Sequence, residues 1–248
     1  MTEYVVDREH NTVRVPAPLG ELAVLTEPLT IAEKALAQVF WIMQYRPPWL
    51  DPGAPAEQRG SGLSALVLGV GPVGLLGAMA LSAAGFRTFV YSRELAPSPR
   101  TDLVASVGAA YRSSQATTFS ELGSEIGNID LIYEAVGHPH FALEALQVLG
   151  INGIYILTGV PGLQAFIETD PTSTMRNMVL KNQVLLGTVN AGAGAFAAAL
   201  RDLEEFATRW PETTGTLIAG RFPPEEAIGL ISGRPAGVKS VISFRDGI

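Results

Sequence analysis

The chain has 248 residues, 47% of them hydrophobic and 17% charged, which is enough apolar material to bury the core of one large domain or two small ones. Its net charge is −7 and no basic block exceeds two residues, so nothing in it resembles a footprint for nucleic acid or for an anionic membrane. The absence of cysteine excludes disulfides, CxxC metal sites and thiol nucleophiles, and it fits a cytoplasmic protein.

The polar start MTEYVVDREH does not read as a signal peptide. Residues 1–27 alternate weakly, in YVVD and TVRVP, and predict one or two short strands broken at Pro16 and Pro18. From Pro28 to about Gln44, apolar residues such as Leu29, Ala32, Leu36, Val39 and Met43 recur at helical spacing, with Pro28 suited to a first turn. Residues 46–63 predict a loop rich in proline and glycine. The apolar run from Ser64 to Ala84 is long enough to raise the question of a membrane span. Its glycines and its proline instead give it the punctuation of a strand (64–69), a turn and a helix (Pro72 to Ala84).

A regular alternation follows. Strands are predicted at 86–92, 110–113, 131–136, 153–159 and 184–189. Helices are predicted near 102–107, 141–149 and 193–209, the last ending at Trp210–Pro211. The tail 215–248 returns to short strand-like pieces, TLIAG and SVISF. Apolar strands alternating with amphipathic helices indicate an α/β fold, a doubly wound parallel sheet of the Rossmann type with helices on both faces.

Gly69, Gly71 and Gly74, in GVGPVG, stand between the first strand of this alternation and its helix. In that context the first glycine permits a tight turn and the second lets the backbone approach a pyrophosphate. The third lets helix and strand pack closely, while the helix N-terminus offers amides and a positive dipole end. Pro72 has no amide to lose in that first turn, and Val73 follows it. About 20 residues on, where a carboxylate usually holds the adenosine ribose, the chain reads FVYSRE. Ser92 and Arg93 argue against S-adenosylmethionine and against plain NAD, because both ligands need an acid there. An arginine can instead take a ribose 2′-phosphate with its fork of donors, assisted by a serine hydroxyl, which points to NADP. Glu94 follows immediately and leaves NAD possible, and Arg100 is near enough in sequence to be a second phosphate ligand.

None of the six tyrosines has a lysine four residues later, so the proton-transfer pair of short-chain dehydrogenases is missing. The histidines are His10, His138 and His140; the His-x-His pair flanks Pro139 at a strand-to-helix turn, where capping or exposure is the simpler role than metal binding. An ordered series of motifs carries a resemblance: LTEPLTIAEKAL (25–36), LVLGVGPVGLL (66–76), SRE (92–94), YEAVG (133–137), GIYILTGVPG (153–162), MVLKNQVLLGTVNA (178–191) and GVKSVISF (237–244). In this order the chain, from about residue 3 to residue 244, resembles the zinc-type medium-chain dehydrogenases, and within them the glucose (aldose) 1-dehydrogenase branch.

The resemblance implies an oxidoreductase that transfers hydride from the C1 hydroxyl of an aldose to a nicotinamide. Ser92 and Arg93 match the first two positions of an Asn-Arg-Arg-like run that accepts NADP, with Glu94 in place of the second arginine. Ala135, Val136 and Gly137, and likewise Thr158, Gly159 and Val160, match the strand ends that border the nicotinamide ribose and ring. Asn190 matches the residue beside the nicotinamide amide; Gly194 stands where the family often has a histidine. Glu27 matches a glutamate that approaches the catalytic zinc and is not sufficient to hold it alone. The same resemblance divides the chain into residues 1–27, part of a catalytic domain; 28–210, the dinucleotide-binding domain; and 211–248, a segment completing the catalytic domain. It sets the zinc and sugar ligands mainly ahead of the equivalent of residue 3. The expectation is therefore a chain that binds NADP, carries no zinc of its own, turns over sugar only with a catalytic domain supplied, and self-associates through exposed apolar surface.

Overall fold

The computed structural model describes residues 4–46, 53–162, 167–233 and 237–244. Six parallel strands form the main sheet: β1 (Ser64–Leu68), β2 (Arg87–Ser92), β3 (Ala110–Ser113), β4 (Leu131–Glu134), β5 (Ile154–Leu157) and β6 (Val184–Gly187). Their order is β3-β2-β1-β4-β5-β6, so the chain reverses direction across the sheet between β1 and β4. Ligands of doubly wound folds sit at the carboxyl ends of the strands beside such a reversal.

Side-chain alternation along these buried strands builds two cores. On one face Ala65, Val67, Val90, Tyr133 and Ile156 pack with residues of α1 (Thr26–Met43), α2 (Pro72–Ala83), α3 (Pro99–Ser106) and α7 (Ala193–Arg209). On the other Leu66, Leu68, Tyr91, Ile132 and Tyr155 pack with residues of α4 (Phe119–Ile126) and α5 (Pro139–Leu146). The period of two thus delivers consecutive residues of one strand to opposite layers, which makes the sheet buried on both sides. Helix α6 (Pro171–Leu180) buries none of its residues.

The first 25 residues differ from expectation. Glu9–Asn11 and Ala17–Leu25 form 3-10 turns, and no strand occurs in residues 4–25. The valines that suggested strands are largely exposed, Val5 at 80% and Val6 at 98%, and an alternating segment without a partner ladder has no reason to stay extended. Helix α1 begins two residues before Pro28, which occupies its first turn. The middle of the predicted loop, 47–52, lies outside the described residues. Helices α4, α6, α8 (Pro211–Thr216) and α9 (Ala227–Ser232) were not evident from periodicity. In the tail, β7 (Ile218–Phe222) pairs with β8 (Lys239–Ile242), a two-stranded sheet separate from the main one. Among the described residues no helix is long and apolar enough to cross a membrane.

Candidate functional site

The turn from β1 into α2 is shaped by its glycines. Gly69 has φ +107°, a left-handed conformation that a side chain would strain, and its amide donates to Tyr91 O at 2.9 Å, joining β1 to β2. A Cβ on Gly74 would fall 2.2 Å from the Gly69 carbonyl oxygen, so the start of α2 can lie against the turn only because that atom is missing. A Cβ on Gly71 would meet nothing within 4 Å, which leaves the backbone approachable from the cleft. Gly71 is also the N-cap of α2 and supplies no side-chain cap, so the amides of Val73 and Gly74 face outward from the first turn. This geometry fits a pyrophosphate.

Beside the turn lies a cleft of about 510 Å³ lined by Gly69, Gly71, Ser92, Arg93, Arg100, Ala135, Val136, His138, His140 and Phe141, among others, and by no carboxylate. Arg93 spends its carbonyl on Gln115 Nε2 (2.6 Å), while its guanidinium has no partner among the described residues. The Ser92 hydroxyl, expected to assist Arg93, is engaged within the protein. Its Oγ lies 2.8 Å from the Tyr111 hydroxyl and accepts from the Glu94 amide at 3.2 Å. Tyr111 in turn donates to Glu94 O at 2.5 Å, so the single Ser92 proton is left to point at Tyr111. Burial holds Tyr111 above its usual pKa and keeps it a phenol. Ser92 therefore pins the turn that presents Arg93. The carboxylate of Glu94 is drawn aside, accepting from Ser98 Oγ at 2.7 Å and lying 3.7 Å from Arg100 Nη1.

Glu27, Lys34, Thr158, Val160 and Asn190 meet in a second cavity, of about 460 Å³. Asn190 sits at φ +60°, and Lys34 Nζ donates to the neighbouring Val189 O at 2.6 Å, tying this loop to α1. Glu27 also borders a cavity of about 590 Å³ between the N-terminal segment and the start of α7, where His10 lies. Glu27 finds no companions for a metal there: among the described residues no group of three or more His, Asp or Glu could hold one. His138 caps α5 through Nδ1 (3.5 Å from Phe141 N), and His140 Nδ1 lies 3.4 Å from Glu144, so the pair acts locally.

One residue at the site was not singled out from sequence. Glu134, the last residue of β4, is 1% exposed. Its Oε1 accepts from the amides of Val136 and Gly137, both at 2.7 Å, and its Oε2 from Gly159 at 3.2 Å. Gly137 and Gly159 thus contribute by allowing close approach: a Cβ on Gly159 would be 2.1 Å from Gly137 N. An acid ending an otherwise apolar buried strand, in LIYEAVG, was the available signal.

The geometry agrees with what the chain is similar to. The family model described as the glucose dehydrogenase C-terminus matches residues 20–244. A glucose 1-dehydrogenase 2 of Haloterrigena turkmenica is 30% identical over 98% of this chain and 65% of its own length. The glucose 1-dehydrogenase of Metallosphaera sedula is 32% identical, over 98% and 64% respectively. The chain therefore spans about 65% of the length of these curated relatives. Haloferax mediterranei glucose dehydrogenase, solved in complex with NADP, zinc and gluconolactone, superposes with a TM-score of 0.81 at 30% identity, covering 97% of this chain and 64% of that one. The shared span runs through the glycine turn, the acid-free end of β2 and the β7–β8 tail, and this chain belongs to the glucose dehydrogenase C-terminal family.

Proposed function

We propose that this chain is the NADP(H)-binding part of a cytoplasmic dehydrogenase that oxidises an aldose at its C1 hydroxyl to the lactone. The observation that carries the cofactor assignment is the end of β2. No carboxylate lines the cleft there, and Arg93 lines it with a guanidinium that has no protein partner among the described residues. The outward amides of Val73 and Gly74 suit the pyrophosphate, and Arg93 the 2′-phosphate. Ala135, Val136 and Gly137, with Thr158, Gly159 and Val160, form the wall on the nicotinamide side. Asn190 reads the carboxamide from the loop that Lys34 holds. The bound nicotinamide would accept the hydride. The zinc and the sugar contacts of such an enzyme would be supplied from outside the residues described, with Glu27 facing them.

The test is titration with NADPH and NADH, repeated on Arg93→Ala. Losing a charged contact to the phosphate should weaken NADPH by about 1.5–3 kcal/mol and leave NADH nearly unchanged. Equal losses for both cofactors would refute the assignment. The same preparation given zinc and glucose is expected to reduce no NADP, and turnover there would overturn the assignment of the chemistry to another domain.

A second reading, a non-catalytic NADP(H) sensor or interaction module, rests on a separate observation. Val5 and Val6 before α1, and Ile228 and Ile231 on α9, are all at least 75% exposed, apolar side chains of the kind that suit contact with a second copy of the chain or with another protein. A catalytic domain supplied in trans separates the two readings, since only the enzyme gains turnover.

A further inference from the structure

Arg100 makes contacts that neither the glycine turn nor Arg93 accounts for. It lines the same acid-free cleft as Arg93, although six residues separate them. It reaches the cleft because the chain turns back after β2: Ser98 caps α3, accepting from Thr101 N in a reciprocal capping box, and places Arg100 in the first turn of that helix. Two contacts fix the guanidinium. Nη2 donates to the carbonyl of Gly237 at 2.6 Å, and Nη1 lies 3.7 Å from Glu94 Oε2. Glu94 is itself held by Ser98, so its charge is turned toward Arg100 and does not line the cleft. Arg100 has five N–H donors, and these two contacts leave others for an anion. With its side chain 34% exposed it is neither buried as a structural ion nor free in solvent.

We infer that Arg100 is a second ligand for the ribose 2′-phosphate and a determinant of NADP over NAD, working beside Arg93. The inference rests on the proposal that the cleft binds NADP. The ligand chemistry is a phosphomonoester on a ribose. A purely structural Arg100, serving only to anchor Gly237 and the strand that follows it, makes a different prediction: its loss would then loosen the 237–242 segment and weaken both cofactors alike.

The experiment is calorimetric titration of the whole chain, wild type, Arg100→Ala and Arg100→Lys, with NADPH, NADH, 2′-AMP and 5′-AMP, after circular dichroism confirms folding. Arg100→Ala is expected to weaken NADPH and 2′-AMP by about 5- to 30-fold while NADH and 5′-AMP change less than about twofold. Arg100→Lys keeps a point charge without the fork and should fall between. It decides the question should the alanine variant not fold. Wild-type preference for NADPH that survives both substitutions, or equal losses for phosphorylated and unphosphorylated ligands, would overturn the role of Arg100 and leave the cofactor assignment intact. A wild-type chain that binds NADPH no better than NADH would overturn the cofactor assignment itself.

Discussion

Glu134 shows how much one buried side chain can organise. Its carboxylate is acceptor-only, and it meets three backbone amides belonging to two different loops, those after β4 and β5. Hydrogen bonds to a charged group contribute about 1.5–3 kcal/mol each, and an amide stripped of its acceptor in the interior costs a comparable amount. Glu134→Gln turns an N–H₂ toward at least one of those donors. We expect a loss of about 1–3 kcal/mol in urea unfolding, together with faster hydrogen exchange at Val136, Gly137 and Gly159. Unchanged exchange at all three amides would show that the loops hold each other without the carboxylate. Arg93 is the opposite kind of residue, a cation left available because its neighbours Ser92 and Tyr111 satisfy each other.

At the scale of the element, the β1–α2 unit separates two uses of glycine that a motif treats alike. Gly74→Ala sets a methyl 2.2 Å from the Gly69 carbonyl, so helix and turn must part. We expect about 1–3 kcal/mol of destabilisation, with dinucleotide binding lost along with it. Gly71→Ala puts its methyl into open space. It is expected to leave the melting temperature within a few degrees while reducing affinity for NADPH and NADH alike, as read by titration. If the two variants behaved identically, the division of labour argued from the geometry would be wrong. Much of this unit was legible in advance, because apolar strands, a helical stripe and glycines at fixed offsets are local signals. β3 coincides with the predicted residues and α7 with the predicted span. Helix α6 was not legible: none of its residues is buried, so no apolar stripe marks it. Helix α4 had a signal that periodicity alone overlooks, the reciprocal cap between Thr118 and Glu121. In the candidate site, Gly69, Ser92 and Arg93 could be placed from sequence, whereas the engagement of Ser92 by Tyr111 depends on β2 pairing with β3.

Across the whole molecule, α1 and α7 pack together on one face of the sheet, and the contact contains an acid pair. Glu33 of α1 and Asp202 of α7 are within hydrogen-bonding reach, with Arg201 offsetting part of the charge and Arg59, Glu57 and Glu205 bordering the same cavity. Burial first, and Asp202 second, push Glu33 up to about 9; burial also raises Asp202. The folded chain thus holds a proton that the unfolded chain releases above the ordinary carboxylate range. The stability contributed by this pair is fully present below about 4.5 and is lost as pH rises toward 9. Glu33→Gln should remove that decline: its melting temperature should exceed that of the wild type at pH 8.5 and converge with it near pH 5. A difference that instead grows toward acid would reverse the sign and dismiss the shared proton. The loops gripped by Glu134 carry a consequence of another sort. Glu134 fastens them to each other through the chain's own atoms, so on the proposed reading a dinucleotide meets a wall already built. Association is then expected to need no loop-closing step at that wall, with an observed rate linear in cofactor concentration in stopped-flow mixing.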